Sequence, residues 1–134
     1  MKIAIALLIT VALSQLIKGI INWAKSGFNW QVFIADGGFS SSHSALVGCT
    51  ALSVYFEQGF SVLFFVVIAF SAIVVNDAVR VRKETGEQAK ILNRIIKKSD
   101  MSFHKLSERE GHTPLQAIAG IILGLLISFL VYLI

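Results

Sequence analysis

Between Ile3 and Ala24 the chain runs for roughly 22 residues with one charged side chain, Lys18. Wound as an α-helix at about 1.5 Å per residue, that run reaches about 33 Å, enough to cross the roughly 30 Å hydrocarbon core of a bilayer. A secretory leader carries a shorter apolar core, typically about 7 to 15 residues, so the run reads as a retained anchor. Three more apolar runs follow, and together the four predict an all-α integral-membrane bundle of about four transmembrane helices. Their expected extents are residues 3–24, 43–57, 60–80 and 114–134 of one 134-residue domain. With 55% hydrophobic residues and 15% charged, nothing is left over for a soluble catalytic domain. The one cysteine, Cys49, lies inside the second run, which excludes an intrachain disulfide framework and suggests a small buried side chain.

The connections carry the rest of the information. Lys25 to Ser42 is polar and contains glycine and serine, as loops do. The second run is rich in small residues (Ala45, Gly48, Cys49, Ala51, Ser53) that let helices approach closely. From Glu84 to Lys98, Ile91, Leu92, Ile95 and Ile96 recur at helical spacing among Lys90, Arg94, Lys97 and Lys98, which predicts an amphipathic surface helix between spans three and four. Ser99 to Gly111 is a polar connection, and Pro114 suits the first position of the last helix. Nine of the 12 Lys and Arg residues fall between Arg80 and Arg109. The positive-inside rule therefore makes that connection cytoplasmic and puts both termini outside. In such a chain the net charge of +4 reports orientation and anionic headgroups. No recognition motif accompanies it, so nucleic acid is not an expected partner. The expected partners are membrane lipids, with a homo-oligomer left open, and the location is the plasma membrane if the source is bacterial.

An ionisable group at membrane depth costs about 2.5 to 3.5 kcal/mol, so each one needs a reason. Lys18 either snorkels to headgroups or binds an anion with other donors. Ser41 and Ser42 stand at a helix start, where hydroxyls and free backbone N–H groups suit either simple capping or phosphate. His43, just inside that helix, is either an ordinary interfacial imidazole or a proton donor near neutral pH. Asp77 and Arg80 are three apart and Arg80 and Glu84 four apart, which predicts local ion pairs. The remaining positive excess at Arg80, Arg82 and Lys83 could grip phosphate oxygens. His112 again sits at a helix start. Two histidines, a lysine and arginines without a carboxylate cluster fit phosphoryl transfer through a histidine nucleophile. The three histidines lack metal-ligand spacing, so no metal and no cofactor are expected.

Three ordered elements carry a resemblance: Gly37-Gly38-Phe39-Ser40-Ser41-Ser42-His43-Ser44-Ala45; then Asn76-Asp77-Ala78-Val79-Arg80-Val81-Arg82 with Gly86-Glu87-Gln88-Ala89 and Leu92-Asn93; then Gly111-His112-Thr113-Pro114. This set, which covers nearly the whole chain, resembles the divergent branch of the type 2 phosphatidic acid phosphatase and vanadium-dependent haloperoxidase superfamily. The resemblance implies Lys18 as a phosphate ligand, Ser42 and His43 as the element that steadies phosphate and protonates the leaving group, and His112 as nucleophile. Arg80 and Arg82 are the candidates for the other phosphate ligands, with Ser41 beside them and Asp77 and Gln116 in support.

The chain also departs from the pattern. Ser40 stands where this branch usually has proline, and Ser42 where the parent motif has glycine. Gln116 stands where the parent has aspartate and the branch usually glutamate; an amide can orient an imidazole but does not stabilise an imidazolium. Two functions follow as expectations. One is a metal-independent phosphatase of a lipid phosphate or prenyl diphosphate, and the other is a non-catalytic membrane protein that binds phospholipid or scaffolds a partner.

Overall fold

The computed structural model describes residues 1–26, 41–99, 103–108 and 111–134. The Gly37 to Ser40 element and the centre of the Lys25–Ser42 connection lie outside the described residues. The described chain forms α1 (Lys2–Ser26), α2 (Ser42–Gln58), α3 (Val62–Asn76), α4 (Arg82–Lys98) and α5 (Pro114–Leu133), with a π turn at Asp77–Val81 between α3 and α4. This is an all-α membrane bundle. Lys2–Ala24, Val62–Lys98 and Pro114–Leu133 are each long and apolar enough to cross a membrane. At 17 residues α2 is shorter, about 25 Å, and it is the hub: it packs on α1, α3 and, most extensively, α5.

Polar caps punctuate the apolar sequence. Ser41 caps α2, its hydroxyl accepting from the Ser44 N–H at 3.3 Å. Gly59, at φ 62°, closes α2 by donating its N–H to the Tyr55 carbonyl at 2.8 Å. Ser61 then caps α3 through the Phe64 N–H. Pro114 opens α5, and Thr113 and Gln116 form a reciprocal capping box around it. These caps satisfy N–H groups that a helix cannot satisfy internally.

The interior is small and hydroxylated. The largest fully buried side chains are Thr10, Ser14, Ser41, Ser44, Cys49, Ser53 and Ser128, while Leu, Ile and Phe side chains crowd the outside. Lipid tails solvate leucine as well as a protein core does, so helices here associate through close van der Waals contact and hydrogen bonds instead. The Ser53 and Ser128 hydroxyls meet at 2.9 Å between α2 and α5. We expect Ser53→Ala and Ser128→Ala each to cost roughly 0.6 to 1.7 kcal/mol. The double variant should lose less than the sum; strict additivity in unfolding measurements would mean the bond contributes nothing.

The amphipathic helix is continuous with the membrane helix that precedes it. No break separates α3 from α4, since the π turn carries the helix through. On α4, Ile91, Leu92 and Ile95 are exposed, and Lys90 pairs with Glu87 at 2.7 Å. Asn93 fastens the following connection to this helix. Its Oδ1 accepts from the Leu106 N–H at 3.0 Å, and its Nδ2 donates to the Leu106 carbonyl at 3.0 Å and to Glu108 Oε1 at 2.7 Å. One amide thus satisfies both main-chain groups of Leu106, as a neighbouring strand would. Asn93→Ala should release residues 103–108, seen as faster backbone exchange there with α5 unchanged; unchanged exchange at Leu106 would refute the tether.

Candidate functional site

Four contacts fix the helix directions. Ser41 N–H reaches the Gln116 carbonyl, Ser53 meets Ser128, and the Tyr132 hydroxyl donates to Glu57 Oε1 at 2.6 Å. Each pair is separated by 75 residues, so α2 and α5 run parallel and in register with their N-termini side by side. At the other end the Lys2 ammonium lies 5.9 Å from the centre of the Tyr132 ring, so α1 runs antiparallel to both. Lys18 lies sixteen residues along from Lys2, and Gln116 sixteen back from Tyr132. At about 1.5 Å per residue, Lys18 is level with the first turns of α2 and α5.

Lys18 lies on the inner side of α1. Ala6, Thr10, Ser14 and Lys18 recur every four residues as the buried line of α1, with Lys18 only 5% exposed. Lys18 therefore faces the bundle rather than the lipid.

His112 reaches the same end through the π turn. In an α-helix the Arg82 N–H would bond to the Ala78 carbonyl, four residues back. Here it bonds to the Asp77 carbonyl, five residues back. The Ala78 carbonyl instead accepts the His112 N–H at 2.9 Å. Gly111 makes this approach feasible. Its φ is +85°, and a Cβ there would lie 2.5 Å from the Lys83 nitrogen and 2.9 Å from the Arg82 carbonyl carbon. The His112 side chain is 3% exposed.

The other expected residues divide. Ser41 is fully buried and serves as the α2 cap. The Ser42 and Ser44 hydroxyl oxygens are shielded from solvent without a hydrogen-bond partner among the described residues. His43 is half-buried in the first turn of α2, and Arg80 is exposed on the π turn. The expected pairing of Asp77 with Arg80 is replaced by Asp77 with Arg82, Nε to Oδ2 at 2.9 Å, because the π turn brings residues five apart onto one side. Gln116 also departs from expectation. Its Oε1 accepts from the Thr113 N–H at 2.9 Å, so its carbonyl caps α5 and is not directed at the His112 ring. A glutamate would complete the same capping box, so the Glu-to-Gln departure preserves the helix start.

Sequence reasoning did not single out Ala78, Gly111 and Gly124 as structural contacts. The first acts through its carbonyl and gives no side-chain signal. The glycines were visible, and the spacing Gly120-x-x-x-Gly124-x-x-x-Ser128 was the clue to the α2–α5 contact.

Lys18, Ser42, His43 and His112 thus occupy one end of the bundle, beside the positive ends of two parallel helix dipoles. A helix N-terminal end of this kind favours an anion. Compared with known sequences, residues 1–127 match the model of the divergent PAP2 family. The chain is 31% identical over 138 residues to the membrane protein YuiD of Bacillus subtilis (strain 168), an alignment covering 90% of this chain and 87% of that protein. No solved structure matches.

Proposed function

The chain belongs to the divergent PAP2 family, and on that premise we propose that it is an integral-membrane phosphatase acting on a lipid phosphate or prenyl diphosphate through a histidine nucleophile. The observation that carries this reading is the buried Lys18 level with two parallel helix N-termini, one of which carries His43 and the other of which follows His112. Lys18, the Ser42 hydroxyl and the free N–H groups of α2 and α5 bind the phosphate, Ser41 holds the α2 terminus in place, and Arg80 and Arg82 add charge from the π turn. His112 attacks phosphorus, and the bond to the lipid oxygen breaks as His43 delivers a proton to the departing alcohol or prenyl phosphate. Water then attacks the phosphohistidine with His43 taking its proton, which releases inorganic phosphate and regenerates His112. On this reading the basic connection is cytoplasmic by the positive-inside rule, with four crossings and both termini outside.

The test is phosphate release by detergent-purified protein from lipid phosphates and prenyl diphosphates. His112→Ala should abolish release, and His43→Ala should slow it by roughly 10²- to 10⁴-fold, the usual contribution of a general acid. Release that survives His112→Ala would overturn the mechanism. Gln116, neutral where a carboxylate would stabilise an imidazolium and directed at the Thr113 N–H, favours a second reading, a non-catalytic phosphate-lipid binding protein. That reading predicts Lys18-dependent lipid binding with no phosphate released by the wild-type protein.

A further inference from the structure

We propose that Asp77 is a positioning residue for His112 and acts through the π turn, an inference that rests on the reading of His112 as nucleophile. Residues 77 and 82 are joined twice at a five-residue spacing: by the main chain, Arg82 N–H to Asp77 carbonyl, and by the side chains, Arg82 Nε to Asp77 Oδ2 at 2.9 Å. In an ordinary α-helix, five steps of about 100° would set these side chains about 140° apart around the axis, beyond convenient pairing. The ion pair therefore favours the π register over the α register.

That register is what frees the Ala78 carbonyl for His112. In the α register the Arg82 N–H takes the Ala78 carbonyl back, and the His112 N–H loses its acceptor. The one-residue change also turns α4 by about 100° relative to α3. The Arg82–Lys83 backbone, against which Gly111 is fitted, turns with it. Asp77 touches neither phosphate nor imidazole in this scheme. It keeps one carbonyl available, and that carbonyl holds the nucleophile's backbone beside the N-terminus of α5.

The consequence is measurable without turnover. Protein labelled with ¹⁵N-histidine and ¹⁵N-cysteine gives three histidine amides and a single cysteine amide, Cys49, buried in α2. Amide exchange is measured in nanodiscs for wild type, Asp77→Asn and Asp77→Glu. We expect His112 exchange to quicken by up to about fivefold in Asp77→Asn, the scale of one partly exposed ion pair, to return toward wild type in Asp77→Glu, and to leave Cys49 unaffected. In the phosphatase assay Asp77→Asn should lower kcat, and Asp77→Glu should restore it. Unchanged His112 exchange overturns the proposal, as does equal acceleration at Cys49, which would mean general loosening. Unchanged kcat alongside faster exchange overturns the positioning role. If the wild-type protein releases no phosphate while His112 exchange responds as expected, the phosphatase reading fails and the register coupling stands.

Discussion

Gly124→Leu is expected to prevent formation of the folded bundle. A Cβ at position 124 would fall on the Ala45 carbonyl oxygen and lie 2.7 Å from the Cys49 nitrogen, and both are backbone atoms inside α2 that cannot swing aside. Gly120 meets the same helix one turn earlier, where a Cβ would lie 2.5 Å from the Ser41 carbonyl oxygen, so the two helices cannot tilt around the obstruction. Overpacking a well-fitted interior ordinarily costs about 1 to 3 kcal/mol where side chains give way. Here the backbone must separate, taking the Ser53–Ser128 bond and the Ser41–Gln116 bond with it, and a loss above that range is expected. Fluorescence-detected size exclusion of a detergent extract should show aggregate in place of the monodisperse peak. Ile122→Ala is the control: Ile122 is 51% exposed two residues away, on the outward face. A monodisperse Gly124→Leu protein with wild-type thermal stability would mean that α2 and α5 do not lie in parallel contact.

The membrane character of the fold was legible because hydropathy is a local property. Any stretch of some 20 apolar residues must avoid water wherever the chain leads. The helix starts were legible for a similar reason, since Pro114 and the serines before α2 act within one turn. Which face of each helix turns inward was harder. In a soluble protein the inward face is the apolar one; here it is the face with the smallest side chains, and Thr10, Ser14 and Ser128 read as incidental polar residues until their four-residue spacing is considered. The π turn was not legible at all. Its five residues Asp77-Ala78-Val79-Arg80-Val81 contain nothing that a regular helix would refuse, and the five-residue spacing of Asp77 and Arg82 signals a pair only in a π register.

The candidate site shows the same division. His43 and His112 stood out as histidines at helix starts, and the arginine cluster stood out as charge. Their common location followed only from the parallel register of α2 and α5. Asp77 pairs five residues along and not three because a π turn, not an α-helical turn, separates it from Arg82. The local demand of the Thr113 N–H takes the Gln116 carbonyl ahead of the imidazole. Short-range hydrogen bonding competes on favourable terms with any longer reach, because the groups are already neighbours and little further entropy is lost in joining them.

Lys18→Met should reduce kcat/KM for phosphate release by about 10²-fold or more, the scale seen when one donor to a developing charge is removed from a water-poor site. Methionine keeps the length and flexibility of the lysine stem and removes only the charge and its protons. Burial makes the expectation sharp, because Lys18 is 5% exposed on the inner line of α1 and faces the bundle. Were Lys18 merely snorkelling, Met would be tolerated and would ease insertion, since a lysine near the helix centre is disfavoured by about 2.5 to 3.5 kcal/mol. Lys18→Arg separates charge from geometry: a guanidinium retains the attraction but brings a broader head into a space set by the first turns of α2 and α5. We expect it to recover phosphate binding, measured as product inhibition by inorganic phosphate, more fully than it recovers kcat. Retention of wild-type kcat/KM in Lys18→Met would remove Lys18 from the site, and with it the charge that lets two helix N-termini hold a dianion within a membrane bundle.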